Sequence, residues 1–178
     1  MGNDKENTPK IFDSTTVIEL VGISPVYLNT FMERKQYGIE ASFSIGTGRG
    51  SRRIFSKEDV FAVALVWWLF ESGLRSETIQ FVLNQICHGR LHSSARDAAR
   101  RVMEGHSEFL VIFRQPRKAK ELKSKHPRQR VLLEKLDPVR HIEKADESVL
   151  IIPVGSFFSN LQQSMDSIQT KGGSSGNL

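Results

Sequence analysis

The residues whose types and spacing most directly suggest chemistry are three arginines in a glycine-rich stretch, Ser44-Ile45-Gly46-Thr47-Gly48-Arg49-Gly50-Ser51-Arg52-Arg53-Ile54-Phe55. Glycines let a backbone approach a ligand closely, and guanidinium forks pair with phosphate oxygens. Arg49, Arg52 and Arg53 are therefore candidate phosphate contacts, with a solvated β-turn as the plainer reading. The glycines do not form a nucleotide loop, because both the Gly-Lys-Ser/Thr ending and the Gly-x-Gly-x-x-Gly spacing are missing. A second set lies upstream: Ser24, Tyr27, Asn29, Thr30, Arg34 and Lys35. On a helix, Asn suits an adenine edge, while Tyr and Thr suit phosphates or a thymine methyl. Ordinary surface polarity is the alternative for each.

Other chemistry finds less support. Cys87, His88 and His92 are close in sequence, but no second cluster completes a metal site, so a core cysteine with surface histidines is expected. The lone cysteine also excludes an intramolecular disulfide framework and points to a reducing, cytoplasmic setting. There is no Ser/His/Asp set, paired-carboxylate motif or Cys/His dyad, so neither catalysis nor a cofactor is expected. The first residues are polar rather than secretory, and the longest apolar run, Val60 to Phe70, is too short for a bilayer. Net charge is +5 at 178 residues, and its placement matters more than its sum. Met1 to Arg75 carries 9 basic and 9 acidic side chains, whereas Arg114 to Arg130 carries 8 basic residues and one acid, Glu121. That later segment is either a second phosphate-contacting surface or a solvated loop.

These residues must be positioned by short elements. Ser14 is a candidate cap for a first helix, and Ser24-Pro25 opens a second, with Leu28, Phe31 and Met32 facing inward. Ser56 with Asp59 forms an acidic capping box before a third helix that is apolar around nearly its whole circumference. Its adjacent Trp67 and Trp68 cannot face the same way, so one is core and the other is a candidate interface residue. Ser76 starts a fourth helix with Ile79, Val82, Leu83 and Ile86 inward, and Ser93 or Ser94 a fifth with Ala95, Ala98, Ala99, Val102 and Met103 inward. Phe109–Phe113 and Val149–Val154 read as buried strands. Arg128 to Leu136 is a short helix or strand that the pattern does not decide. Phe157, Phe158, Leu161, Met165 and Ile168 form a closing helical stripe. The fold class is α+β and mainly α: a flexible leader (1–13), a winged helix-turn-helix (14–90), a linking helix with a small α+β effector or oligomerisation unit (91–169), and a flexible tail (170–178).

Gly22-Ile23-Ser24-Pro25…Leu28, then Arg53-Ile54-Phe55-Ser56-Lys57-Glu58-Asp59-Val60 and Ser72-Gly73-Leu74…Ile79…Leu83, resemble the MerR-type transcription regulators. The likeness covers about residues 14–86. In that family a Gly-Val-Ser turn leads the recognition helix and an Arg-x-Tyr-Ser-x-x-Asp-Val stretch leaves the wing. Here Asn29 stands where the family usually has Arg, Phe55 replaces a Tyr, and only Phe31 and Tyr37 remain of an aromatic pair. The helices after Gly73 are interrupted at Gly89 and Gly105, where the family has a long dimerising coil. The resemblance implies a sequence-specific reader of double-stranded DNA that regulates transcription in a bacterial cytosol or nucleoid. An excisionase-like or architectural DNA-bending protein is the related alternative. A protein-interaction module using the Trp-rich helix is the alternative of another class. Two copies would supply the reading area that one helix and one wing lack, so a homodimer is expected, with the 157–168 stripe either pairing subunits or filling the core. An effector or a protein partner is left open, and no membrane association is expected.

Overall fold

The computed structural model describes residues 11–34, 37–46, 52–90, 92–105, 108–114, 129–134 and 148–172. Asp13 sets the start of the molecule's first helix. Its side chain accepts the Thr16 N–H (2.9 Å) and the Thr16 hydroxyl (2.8 Å), so the N-cap is Asp13 and not the expected Ser14. Helix α1 (Ser14–Val21) ends at Gly22, whose φ of 72° lets its N–H return to the Ile18 carbonyl (2.9 Å). Two residues later Ser24 caps α2 (Pro25–Glu33), with proline at the first helical position. Helix, tight turn and helix thus follow from local caps.

A three-stranded antiparallel sheet comes next, in the order β1-β3-β2: β1 (Ile11–Asp13), β2 (Phe43–Ile45) and β3 (Arg52–Ser56). Strands β2 and β3 form the expected hairpin, with Ser44 opposite Arg53. Strand β1 is a correction, since Ile11–Asp13 was expected to belong to a flexible leader. It pairs with β3, placing Phe12 opposite Phe55, and both rings are buried in the main core. Backbone pairing plus one buried ring holds a segment too short to show strand periodicity.

Helix α3 (Lys57–Glu71) is the axis of the core, with ten of its residues buried. Both halves of its capping box form, the Ser56 hydroxyl accepting the Asp59 N–H (3.2 Å) and Asp59 accepting the Ser56 N–H (2.8 Å). Helix α4 (Ser76–Ile86) starts without a side-chain cap, Arg75 standing at the N-cap position and Ser76 inside the helix. Helix α5 (Ala95–Glu104) is capped by Ser94 and buries Ala95, Ala98, Ala99 and Val102. Alanines let α5 lie close against α3.

The chain closes with a second three-stranded antiparallel sheet in the order β5-β4-β6 and a final helix. These are β4 (Phe109–Arg114), β5 (Gln129–Glu134), β6 (Ser148–Ile152) and α6 (Val154–Gly172). Residues 129–134, undecided from pattern, are strand. The helix runs to Gly172, past the expected start of the tail at 170. Most of the basic segment 114–130 lies outside the described residues. Leu110, Ile112, Ile152, Phe158, Leu161 and Met165 belong to the same buried cluster as Phe12, Val17 and the α3 side chains. Trp67 packs toward α2, while Trp68 faces the other way, 4.6 Å from Phe157 and 5.3 Å from Phe158 between ring centroids. The architecture is α+β and mainly helical, around one continuous core.

Candidate nucleic-acid interface

Helix α2 and the β2–β3 hairpin are joined by one side chain. Arg53 on β3 donates through Nη1 to Asn29 Oδ1 on α2 (2.6 Å) and reaches the Met32 sulfur (3.6 Å). Local structure explains the meeting: β3 alternates, so Arg53 shares a face with buried Phe55 and points at α2. A guanidinium has five donors, so this bond leaves others free for an acceptor such as phosphate. Among the described residues its hydrogen-bond partners, Asn29 and Met32, carry no charge.

Arg52, on the opposite face of β3, is different. It makes an ion pair with Asp13 (2.5 Å), 39 residues away. The Asp13 carboxyl is lowered to about 2 from an ordinary 3.8, first by the Thr16 N–H, then by the Thr16 hydroxyl and the Arg52 guanidinium. One carboxylate thus caps α1 and offsets one of the hairpin's arginines.

The remaining expected residues divide by role. Ser24 is spent as the cap of α2, accepting the Tyr27 N–H (3.3 Å). Thr30 donates its hydroxyl to the Val26 carbonyl (2.8 Å), which leaves its methyl and its lone pairs. Arg34 is exposed at the C-cap of α2. The Tyr27 ring is only partly free, lying 5.3 Å from Trp67 and 5.2 Å from Phe70 between centroids. Lys35 and Arg49 lie outside the described residues. The structure therefore gathers Asn29 and Arg53, spends Ser24 on capping and part of Tyr27 on packing, and pairs Arg52 with an acid.

Sequence reasoning missed the base of the hairpin. Asp59 is 2 % exposed, and its carboxylate accepts from Ser42, just before β2, and from Arg96 on α5. Ala95 N–H also donates to the Tyr37 carbonyl (2.7 Å), and a Cβ on Gly38 would meet the Ser94 Cβ at 2.8 Å. The connector from α2 to the wing is thus clamped onto the start of α5. The buried carboxylate of the capping box was the one available signal, since a buried charge needs a cation.

No protein-family model matches the chain, and no curated protein matches it. Any assignment rests on the site itself. Cys87 is buried and His88 and His92 are exposed. Among the described residues no group of three or more His, Cys, Asp or Glu side chains is placed to hold a metal ion, and no helix is long and apolar enough to cross a membrane.

Proposed function

We propose that the chain is a sequence-specific double-stranded DNA-binding regulator that works in the cytoplasm, with α2 in the major groove and the β2–β3 hairpin as a wing on the phosphates. The observation that carries this reading is the Arg53–Asn29 bond, which ties the basic hairpin to the exposed face of α2. Helix and wing then address one duplex together, with Asn29 able to meet a base edge and Arg53 a phosphate. One such module buries only about 600–1,000 Å². Two copies on an inverted repeat would supply the rest. The alternative use of the Trp-rich helix has less support, because both indoles pack against rings of the same chain.

The test is selection of bound duplexes from random fragments, then titration of the best one across salt. Arg53→Ala should weaken binding to all duplexes alike and reduce the salt slope by roughly one unit. Asn29→Ala should instead relax the preference at one base position, by about 1–3 kcal/mol. No selected sequence and no salt dependence would sink the reading.

A further inference from the structure

Outside the proposed interface, the first sheet carries an apolar face. The register of the wing sheet places Asp13, Ile54 and Phe43 in one row and Arg52 beside Ile45 in the next, all on one face. Directly paired residues share a face, so this is the side opposite Phe12, Phe55 and Arg53. On it Phe43 is 63 % and Ile45 60 % exposed, and Ile11 at the far corner is 54 % exposed. Ile54 lies between these strands, 6 % exposed yet outside the main core cluster. Such a cluster of large apolar side chains gains nothing from phosphates, but the residues on the β2 edge gain from apolar cross-strand neighbours.

We propose that the β2 edge beside this face is a self-association surface, where β2 pairs antiparallel with β2 of a second copy about a two-fold axis at Ser44. Three observations select a second copy as the occupant. Among the described residues, strand β2 is an edge paired with β3 alone, and all three of its residues are exposed. Its pattern, Phe43-Ser44-Ile45, is symmetric about its centre. Antiparallel self-pairing therefore brings each Phe43 beside the other copy's Ile45, on one face, and the two Ser44 residues opposite each other. The charges on the face are Asp13 and Arg52, one of each sign and already paired, so two such faces do not repel. The closing helix buries Phe158, Leu161 and Met165 within its own chain and leaves Ile168 as the exposed member of its stripe. Two three-stranded sheets become one of six, in which β2 is no longer an edge.

The proposal does not depend on DNA, and it is tested without it. Sedimentation of the full chain over a concentration series should show a monomer–dimer equilibrium. Phe43→Ser with Ile45→Ser should raise its dissociation constant at least about tenfold while the circular dichroism of the monomer stays native. Because those two changes could also disturb the hairpin, a second variant keeps the apolar face intact. Under mild oxidation Ser44→Cys should give a disulfide-linked dimer, whereas the wild type, whose Cys87 is buried, should not. A monomer at every concentration would overturn the proposal, as would a dimer that survives the double substitution and fails to cross-link at position 44. Loss of sequence-specific DNA binding with dimerisation intact would count against the proposed function and leave this surface standing.

Discussion

Asp13 shows how much one side chain can hold together. It caps α1, pairs with Arg52 across 39 residues of sequence, and belongs to the strand that closes the wing sheet. Because the folded carboxyl sits at about 2, below its ordinary 3.8, it favours the folded state above the ordinary value. That contribution is lost as pH falls from about 4 toward about 2. Asp13→Asn keeps a good capping group but no charge. Acid titration of stability should therefore be shallower in this variant over that window, while Asp13→Ala should lose about 1 kcal/mol at neutral pH through the missing cap. Chemical denaturation at stepped pH checks both, and an unchanged acid limb in Asp13→Asn would refute the ion-pair account. Asp59 has the larger stake, because it is buried and serves Ser42, Ser56 and Arg96 at once. Asp59→Ala should cost roughly 2–4 kcal/mol, since it leaves a guanidinium and an N-cap N–H without their acceptor.

At the scale of elements, the two tight connections around α2 separate backbone strain from steric clash. Gly22 has φ 72° with open space around a would-be Cβ, so Gly22→Ala should cost only the left-handed penalty, about 1–2 kcal/mol. Gly38 has φ 59°, and its Cβ would meet Ser94 Cβ at 2.8 Å and Ser94 Cα at 3.2 Å. Gly38→Ala should therefore be the more damaging, because it pushes the α2–β2 connector away from the start of α5 as well as straining the backbone. Comparing the urea midpoints of the two variants decides the point, and equal losses would mean that the connector yields freely.

Across the whole molecule, the closing helix is the lid of a shared core. Phe158 stacks edge-on against Phe61 at 4.9 Å and touches Trp68, and α1, α3 and α5 all contact α6. Phe158→Ala should destabilise the chain by about 3–5 kcal/mol. The loss should be one cooperative transition, coincident by tryptophan fluorescence and circular dichroism, because a single apolar cluster leaves no half that keeps its own interior. Two separated transitions would show that the region after Gly105 folds by itself.

Where α2, α3 and α5 begin was legible in the residues alone. The caps Ser24 to Tyr27, Ser56 to Asp59 and Ser94 to Asp97 each act over three positions, and a helix brings such neighbours together in any surroundings. The hairpin, the inward stripes of α4 and α5, and the opposite faces of Trp67 and Trp68 were readable for the same reason. What no local pattern carries is which distant group each side chain meets. Arg53 finds Asn29 across 24 residues, Arg96 finds Asp59 across 37, and Arg52 finds Asp13 across 39. These partners depend on the path of the chain, so three arginines that look alike in sequence become a junction, a buried clamp and a neutralised pair. Burial was decided the same way. Most of the apolar stripe of α6 was spent inside the chain because α3 offered Phe61 and Trp68, whereas Ile168 at its end stays exposed and nothing within the described residues covers Phe43 and Ile45.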